Sequence, residues 1–399
     1  MNKQDIIAQG ESVLLHTYNR FPMVLDHGDG MYLYETDGTK YLDFAAGIAV
    51  FAFGYNNKEY NDALKAQVDK LVHTSNLYYN EPSVHAAELF CKASGMERVF
   101  FTNSGAEAIE GALKLARKYY FNKHGLSDSN VIAMDHSFHG RTMGAVSVTG
   151  KQAYREPFEP LIGGVRFAEF NNYDDVVSKV DAKTSAIIME TVQGEGGIYP
   201  ADKEFLQKIR KFCTANDIVL ILDEIQCGMG RTGTMFAYQQ YGIEPDILTS
   251  AKALGCGVPV GCFACKEAFA AMVPGDHGST YGGNPLVCKA VETVFGLFEK
   301  TKLTDHVKEV SGYLWDELEK VTADYEIVTA HRGLGLMQGL EFSVGAGPIV
   351  KETIANGCIL ISAGTNIIRF VPPLIVEKKH VDEMIGCLRK AIEKLLVNS

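Results

Sequence analysis

Short apolar runs recur along the middle of the chain. Each is stopped by a polar or glycine-rich stretch, and amphipathic segments lie between them. The runs Arg98–Thr102, Val131–Met134, Ser185–Met189, Ile218–Leu222, Asp246–Ser250 and Gly261–Ala264 predict strands. The segments Glu107–Phe121, Lys203–Asn216 and Pro285–Lys300 repeat apolar residues at helical spacing. Apolar strands alternating with helices predict a mostly parallel sheet covered on both faces. After Lys300 the pattern changes to a helix over Leu303–Ala323, shorter strands around Tyr325–Ala330, Gly335–Phe342 and Ile367–Val371, and a closing helix over His380–Val397. An Asp-Gly turn inside Met31–Phe44 predicts a hairpin that joins this second unit. The expectation is an α/β chain. Residues 51–300 form a large domain with a mostly parallel sheet, residues 301–399 a smaller α+β domain, and residues 1–50 an N-terminal segment joining the smaller one.

Charge narrows the partners. A formal net charge of −11 argues against nucleic acid, because phosphate binding needs basic patches. An acidic protein that binds anions must place its arginines locally, so individual arginines matter. No apolar run approaches the ~18 residues of a membrane span, so no membrane association is expected. The opening residues, MNKQDIIAQGESVLLH, lack a signal-peptide apolar core, and a cytoplasmic location is expected. Nine scattered cysteines do not make a secreted disulfide framework. Cys262-Phe-Ala-Cys265 has no second pair, and a strand there turns its thiols to opposite faces. His136 and His139 lack a third ligand, and no metal is expected.

Chemistry gathers where the strands end. Five of them run into NSGAEA, DHSFHGR, ETVQGEGG, DEIQCGMGRTG and SAKALG. Open α/β sheets bind ligands at the carboxyl ends of their strands. At Asn103–Ala108 the N–H groups of Ser104, Gly105 and Ala106 open a helix and can cradle an anion; a plain capping box of Ser104 with Glu107 is the alternative. Asp223 ends an apolar strand, poorly solvated and in need of a partner. A magnesium–nucleotide site would also use such a strand, but the chain has no G-x-x-x-x-G-K-[ST]. A protonated ring nitrogen is the other candidate. At ~4 Å and an effective dielectric of ~20 the pair supplies about 4 kcal/mol, roughly three pKa units. Gly228-Met-Gly230-Arg-Thr-Gly233 reads as G-x-G-x-x-G, but Asp223–Cys227 separate it from the strand, which a dinucleotide site does not allow. Its glycines are expected to permit close backbone packing beside the ligand. Lys252 follows an apolar strand among small residues, an unusual burial for a lysine. Burial depresses its pKa and frees an amine for Schiff-base chemistry.

Together NSGAEA, FHGR, QGEGG, DEIQCGMGRTG, TSAKALG, PGDHGSTYGGNP and IIRFVPP resemble the class III (fold-type I) aminotransferases. GIAV, HTSNLYYNEP and FHGRTMGAVSVTG are most similar to the branch of that family acting on acetylornithine. The resemblance runs from about Tyr18 to the last helix. It implies a pyridoxal 5'-phosphate (PLP) enzyme in which Lys252 carries the cofactor and moves the proton, and Asp223 pairs with the ring nitrogen. It further implies that Gln226 bonds the ring's phenolic oxygen, Phe138 stacks on the ring with His139 behind it, and Ser104, Gly105 and Ala106 hold the phosphate. Thr280 would complete the phosphate site from a neighbouring subunit, making the active unit a homodimer. Arg369 would bind the α-carboxylate of glutamate or 2-oxoglutarate, and Glu195 would cover it while the longer donor reacts. Arg141 and Tyr18 would hold the donor's carboxylate, and Tyr79 would shape its tail pocket. The implied reaction moves the terminal amine of N2-acetylornithine to 2-oxoglutarate. Other ω-amino donors (ornithine, succinylornithine, acetyllysine, 4-aminobutyrate) are the rivals, with a non-catalytic PLP-binding protein behind them. One departure is visible: Glu190-Thr191 stands where the family has Glu-Pro.

Overall fold

The computed structural model describes residues 2–397. Its centre is a seven-stranded sheet built from β1 (Arg98–Thr102), β2 (Asn130–Met134), β3 (Val165–Ala168), β4 (Thr184–Glu190), β5 (Val219–Asp223), β6 (Ile247–Ser250) and β7 (Gly261–Cys265). The order across the sheet is β1-β7-β6-β5-β4-β2-β3. Only β7 is antiparallel to its neighbours. β4, β5 and β6 are buried along their whole length, as strands covered on both faces must be.

Helices cover the sheet closely. Gly105–His124 lies over β6 and β7, and a β-carbon on its Gly111 would stand 2.2 Å from the Phe263 ring. That approach requires glycine. Helices Lys58–Lys70 and Glu81–Ser94 both pack on Pro285–Thr301. Asn57, Asn80 and Asn284 cap them, each accepting a backbone N–H from the first turn.

Two four-stranded sheets accompany the large one. Strands Leu25–Asp29, Tyr32–Glu35 and Lys40–Asp43 form a meander whose last strand pairs in parallel with Cys358–Ile359. The hairpin turns at Asp37-Gly38, where Gly38 takes φ +86°. An antiparallel sheet combines Val328–Leu334, Met337–Phe342, Ile367–Phe370 and Ile361–Ala363 in that spatial order. Among the described residues no helix is long and apolar enough to cross a membrane.

Several elements were absent from the sequence expectation, among them the helices Lys58–Lys70 and Glu81–Ser94, one edge strand and one short helix. β3 (VRFA) is a short edge strand with Arg166 in its middle, too polar and brief to stand out. Helix Gly347–Ala355 is a short element with Pro348 in its first turn.

Candidate active site

Register brings the first groups together. β5 pairs with β4 so that Asp223 lies opposite Glu190, and with β6 so that it lies opposite Thr249. Two carboxylates and a hydroxyl therefore stand abreast at the carboxyl edge of the sheet. Asp223 is 3% exposed. Its Oδ2 meets His139 Nδ1 at 2.7 Å, and its Oδ1 accepts from the Ile225 N–H at 3.0 Å and Thr249 Oγ1 at 3.3 Å. His139 is itself buried, with its N–H donating to Thr149 Oγ1 at 3.0 Å.

Lys252 follows β6 by two residues, with φ +51°, a left-handed conformation costly for a side chain of its size. Burial pushes its amine below the ordinary lysine value; Glu195 pulls the other way and Arg369 adds to the depression. Lys252 and Asp223 line one cavity of about 440 Å³ with Ser104, Gly105, Ala106, Phe138, His139, Gly140, Arg141, Glu190 and Gln226.

The helix opening at Gly105 answers the capping question in two parts. Ser104 does cap it, its hydroxyl accepting the Glu107 N–H at 3.2 Å. Glu107 reaches past the cap, accepting from the backbone and side-chain nitrogens of Asn103, both at 2.9 Å. The N–H groups of Gly105 and Ala106, in the first turn, have no helical carbonyl behind them, and both residues line the cavity. A β-carbon on Gly105 would stand 2.9 Å from Ile225 Cδ1.

Above this floor, Arg369 projects from Ile367–Phe370, 2% exposed. Its Nη1 donates to Glu195 Oε1 in a short ion pair and to Gln226 Oε1 at 2.8 Å. Burial acts to raise the Glu195 carboxyl, but Arg369, Lys252 and Gln226 outweigh it and hold it below the usual range. Gln226 thus engages the arginine as well as lining the cavity.

Arg141 is exposed at the cavity rim, its guanidinium 3.8 Å from the Tyr154 ring centroid and 5.4 Å from that of Phe138. Tyr18, Tyr79 and Thr280 do not reach the cavity within one chain. Tyr18 is 71% exposed beside the N-terminal helix, Tyr79 is 98% exposed, and Thr280 lies on an exposed loop. That loop is tied down beside the helix opening: Asn103 Nδ2 donates to Ser279 Oγ at 3.2 Å and Asn76 Nδ2 to Gly282 O at 2.8 Å.

Glu190 was not singled out in the sequence. Its carboxylate accepts the Phe138 N–H and the Gly194 N–H, each at 3.1 Å, joining two loops of the cavity. Burial raises it to about 7, with Asp223 adding to the rise and His139 opposing it. Its place at the end of an apolar strand, like that of Asp223, was the available signal. The glycines of GMGRTG do allow close packing, but not beside the cavity: a β-carbon on Gly230 would meet Phe298 at 2.5 Å. Among the described residues no group of three or more His, Cys, Asp or Glu side chains could hold a metal ion.

This sheet order, with Lys252 and Asp223 on neighbouring strand ends, defines an enzyme of the fold-type I class. The aminotransferase class-III family model matches residues 14–392, and the chain belongs to that family. It is 45% identical to the acetylornithine aminotransferase of Clostridium acetobutylicum over 96% of this chain and 100% of the relative. It is 44% identical to that of Methanocaldococcus jannaschii, over 99% and 100%. Among solved structures, ornithine aminotransferase from Toxoplasma gondii superposes with a TM-score of 0.96 at 26% identity, covering 100% of this chain and 97% of that one. A second structure of that enzyme is described as carrying PLP at partial occupancy in its active site. N-acetylornithine aminotransferase from Stenotrophomonas maltophilia gives 0.85 at 34% identity, over 98% and 100%.

Proposed function

We propose that this aminotransferase uses PLP to move the terminal amine of N2-acetylornithine to 2-oxoglutarate, giving N-acetylglutamate 5-semialdehyde and glutamate, a step of arginine biosynthesis. The observation that carries the reading is the Glu195–Arg369 ion pair in contact with Gln226, above a cavity that holds Lys252 and Asp223. One pocket must accept a donor that reacts far from its α-carboxylate and an acceptor that reacts beside it. A cation that can be covered and uncovered meets that need.

The residues present fit the cofactor. Gly105 and Ala106 offer unpaired N–H donors at a helix N-terminus for a phosphate. Asp223 offers a buried carboxylate for a protonated ring nitrogen, and Phe138 an aromatic face. When bound, PLP supplies an electrophilic aldehyde and an electron-accepting ring. Lys252 would hold the cofactor through Nζ and, once the donor's amine has taken its place there, its freed amine, depressed by burial, would accept the proton from the carbon bearing the donor's amine. Asp223 keeps the ring nitrogen protonated. His139 fixes the carboxylate from behind. Arg141 at the rim takes the donor's carboxylate. Arg369, released by Glu195, takes that of 2-oxoglutarate.

The active unit is read as a homodimer. Thr280 and Tyr79 are exposed on segments fastened beside Asn103, with Leu77, Tyr78 and Tyr281 also exposed there, a face suited to a second copy. Nine free cysteines, none paired among the described residues, support a reducing, cytoplasmic setting.

Steady-state rates with N2-acetylornithine, ornithine, succinylornithine, N-acetyllysine and 4-aminobutyrate test the donor. N2-acetylornithine should give the highest kcat/KM; a tenfold preference for another donor would reassign the substrate. Lys252→Ala should abolish turnover while cofactor phosphate binding survives.

A further inference from the structure

Arg231 is a buried charged side chain that the mechanism does not use. It lies in the GMGRTG loop, downstream of Gln226 on the same connection, and is 2% exposed. Among the described residues it has no carboxylate partner. Its Nη1 donates to Leu336 O at 3.1 Å and Pro372 O at 2.6 Å, and its Nη2 has no partner. The Arg231 carbonyl in turn accepts the Leu336 N–H at 2.9 Å. Burial without a counter-charge pulls the guanidinium down to about 9. A buried cation held only by carbonyl dipoles stabilises a fold poorly, since an apolar residue of similar volume avoids the desolvation. Its position suggests another use.

Leu336 immediately precedes the strand Met337–Phe342, and Pro372 follows the strand Ile367–Phe370. These strands are antiparallel neighbours, with Gly339 opposite Arg369. One guanidinium nitrogen therefore staples the start of one strand to the end of the other, three residues from Arg369. The staple is anchored in the loop that also carries Gln226, the residue holding Arg369 Nη1. We infer that Arg231 is a positioning residue for Arg369: it fixes the strand bearing the carboxylate-binding guanidinium at the distance from Gln226 and Glu195 that the covered and uncovered states require. The inference rests on the proposed assignment of Arg369 to the α-carboxylate.

The test uses the holoenzyme and glutarate, a dicarboxylate with no amine or carbonyl to react. Titration calorimetry should show glutarate binding by wild type and its loss in Arg369→Ala. Arg231→Met should keep cofactor content and bind glutarate more weakly by on the order of tenfold or more, as small misplacements at such sites do. Its single-turnover rate with glutamate should fall more than that with N2-acetylornithine. Arg231→Lys, which restores a donor but not the reach, should lie between. It also carries the test if the methionine variant is insoluble. Glutarate binding insensitive to Arg369→Ala would overturn the assignment of Arg369, and this inference with it. Binding lost in Arg369→Ala but within twofold of wild type in the Arg231 variants would overturn this inference alone. A lowered melting temperature with equal losses in both half-reactions would also overturn it, reducing Arg231 to a structural role.

Discussion

Replacing Glu195 by Gln removes one charge and little volume from the pair with Arg369. The arginine side chain is 3% exposed and that of the glutamate 28%. For unit charges ~4 Å apart at an effective dielectric of ~20, the attraction is about 4 kcal/mol. Glu195 is partly solvated and Gln226 still holds the same Nη1 at 2.8 Å, so about half of this, ~2 kcal/mol, is a reasonable size for the effect. That corresponds to roughly 30-fold in an equilibrium constant. Glutamate no longer has to displace a carboxylate, so its apparent dissociation constant in the first half-reaction should fall by up to about that factor. N2-acetylornithine should suffer, because a bare Arg369 captures its α-carboxylate and turns the acetylated, unreactive α-nitrogen toward the reacting centre in place of the terminal amine. Rapid mixing of the PLP-loaded enzyme with each amino donor separately, followed by cofactor absorbance in a single turnover, measures both. Losses of equal size with both donors would refute the reasoning, since they would mean Glu195 serves the cavity generally and not one substrate.

Asp223→Ala should slow both half-reactions by on the order of 10²–10³, the usual cost of removing a preorganised electrostatic partner. A variant within tenfold of wild type would mean another group protonates the ring. Gly105→Ala should weaken cofactor binding by on the order of tenfold, because the new β-carbon meets Ile225; equilibrium dialysis of the cofactor checks it. Glu224 is buried, and burial raises it to about 7 despite hydrogen bonds from Thr191, Ala237 and Tyr238. The fold thus favours its neutral form. Its contribution to stability is full below the unfolded carboxyl value, is lost as pH rises through about 7, and spans about 3 kcal/mol at most. The melting temperature of wild type should therefore fall relative to that of Glu224→Gln from pH 5 to pH 8; a pH-independent difference would contradict this.

The carboxyl edge of the sheet was legible because its strands are buried on both faces and read as apolar runs, so a charge at the end of one is conspicuous. Asp223 and Lys252 stand out in that way. Glu190 sits at an equivalent strand end, but its use depends on two loops, from Phe138 and Gly194, converging on it in space. Arg231 was hidden by its setting: an arginine among glycines reads as a solvated loop until the carbonyls of Leu336 and Pro372, more than a hundred residues on, are seen to enclose it. Tyr18, Tyr79 and Thr280 are intelligible from the family resemblance alone, since one chain leaves them outside the cavity.

The backbone of Lys252 lies at φ +51°, where a lysine costs on the order of 1–2 kcal/mol that glycine would not. Its amine is also held away from water. On the proposed role of Lys252, a substitution that relaxes either feature favours folding and sacrifices turnover. Selection for thermal robustness and selection for turnover therefore pull in opposite directions at this position, and random mutagenesis screened only for stability should enrich inactive chains altered there.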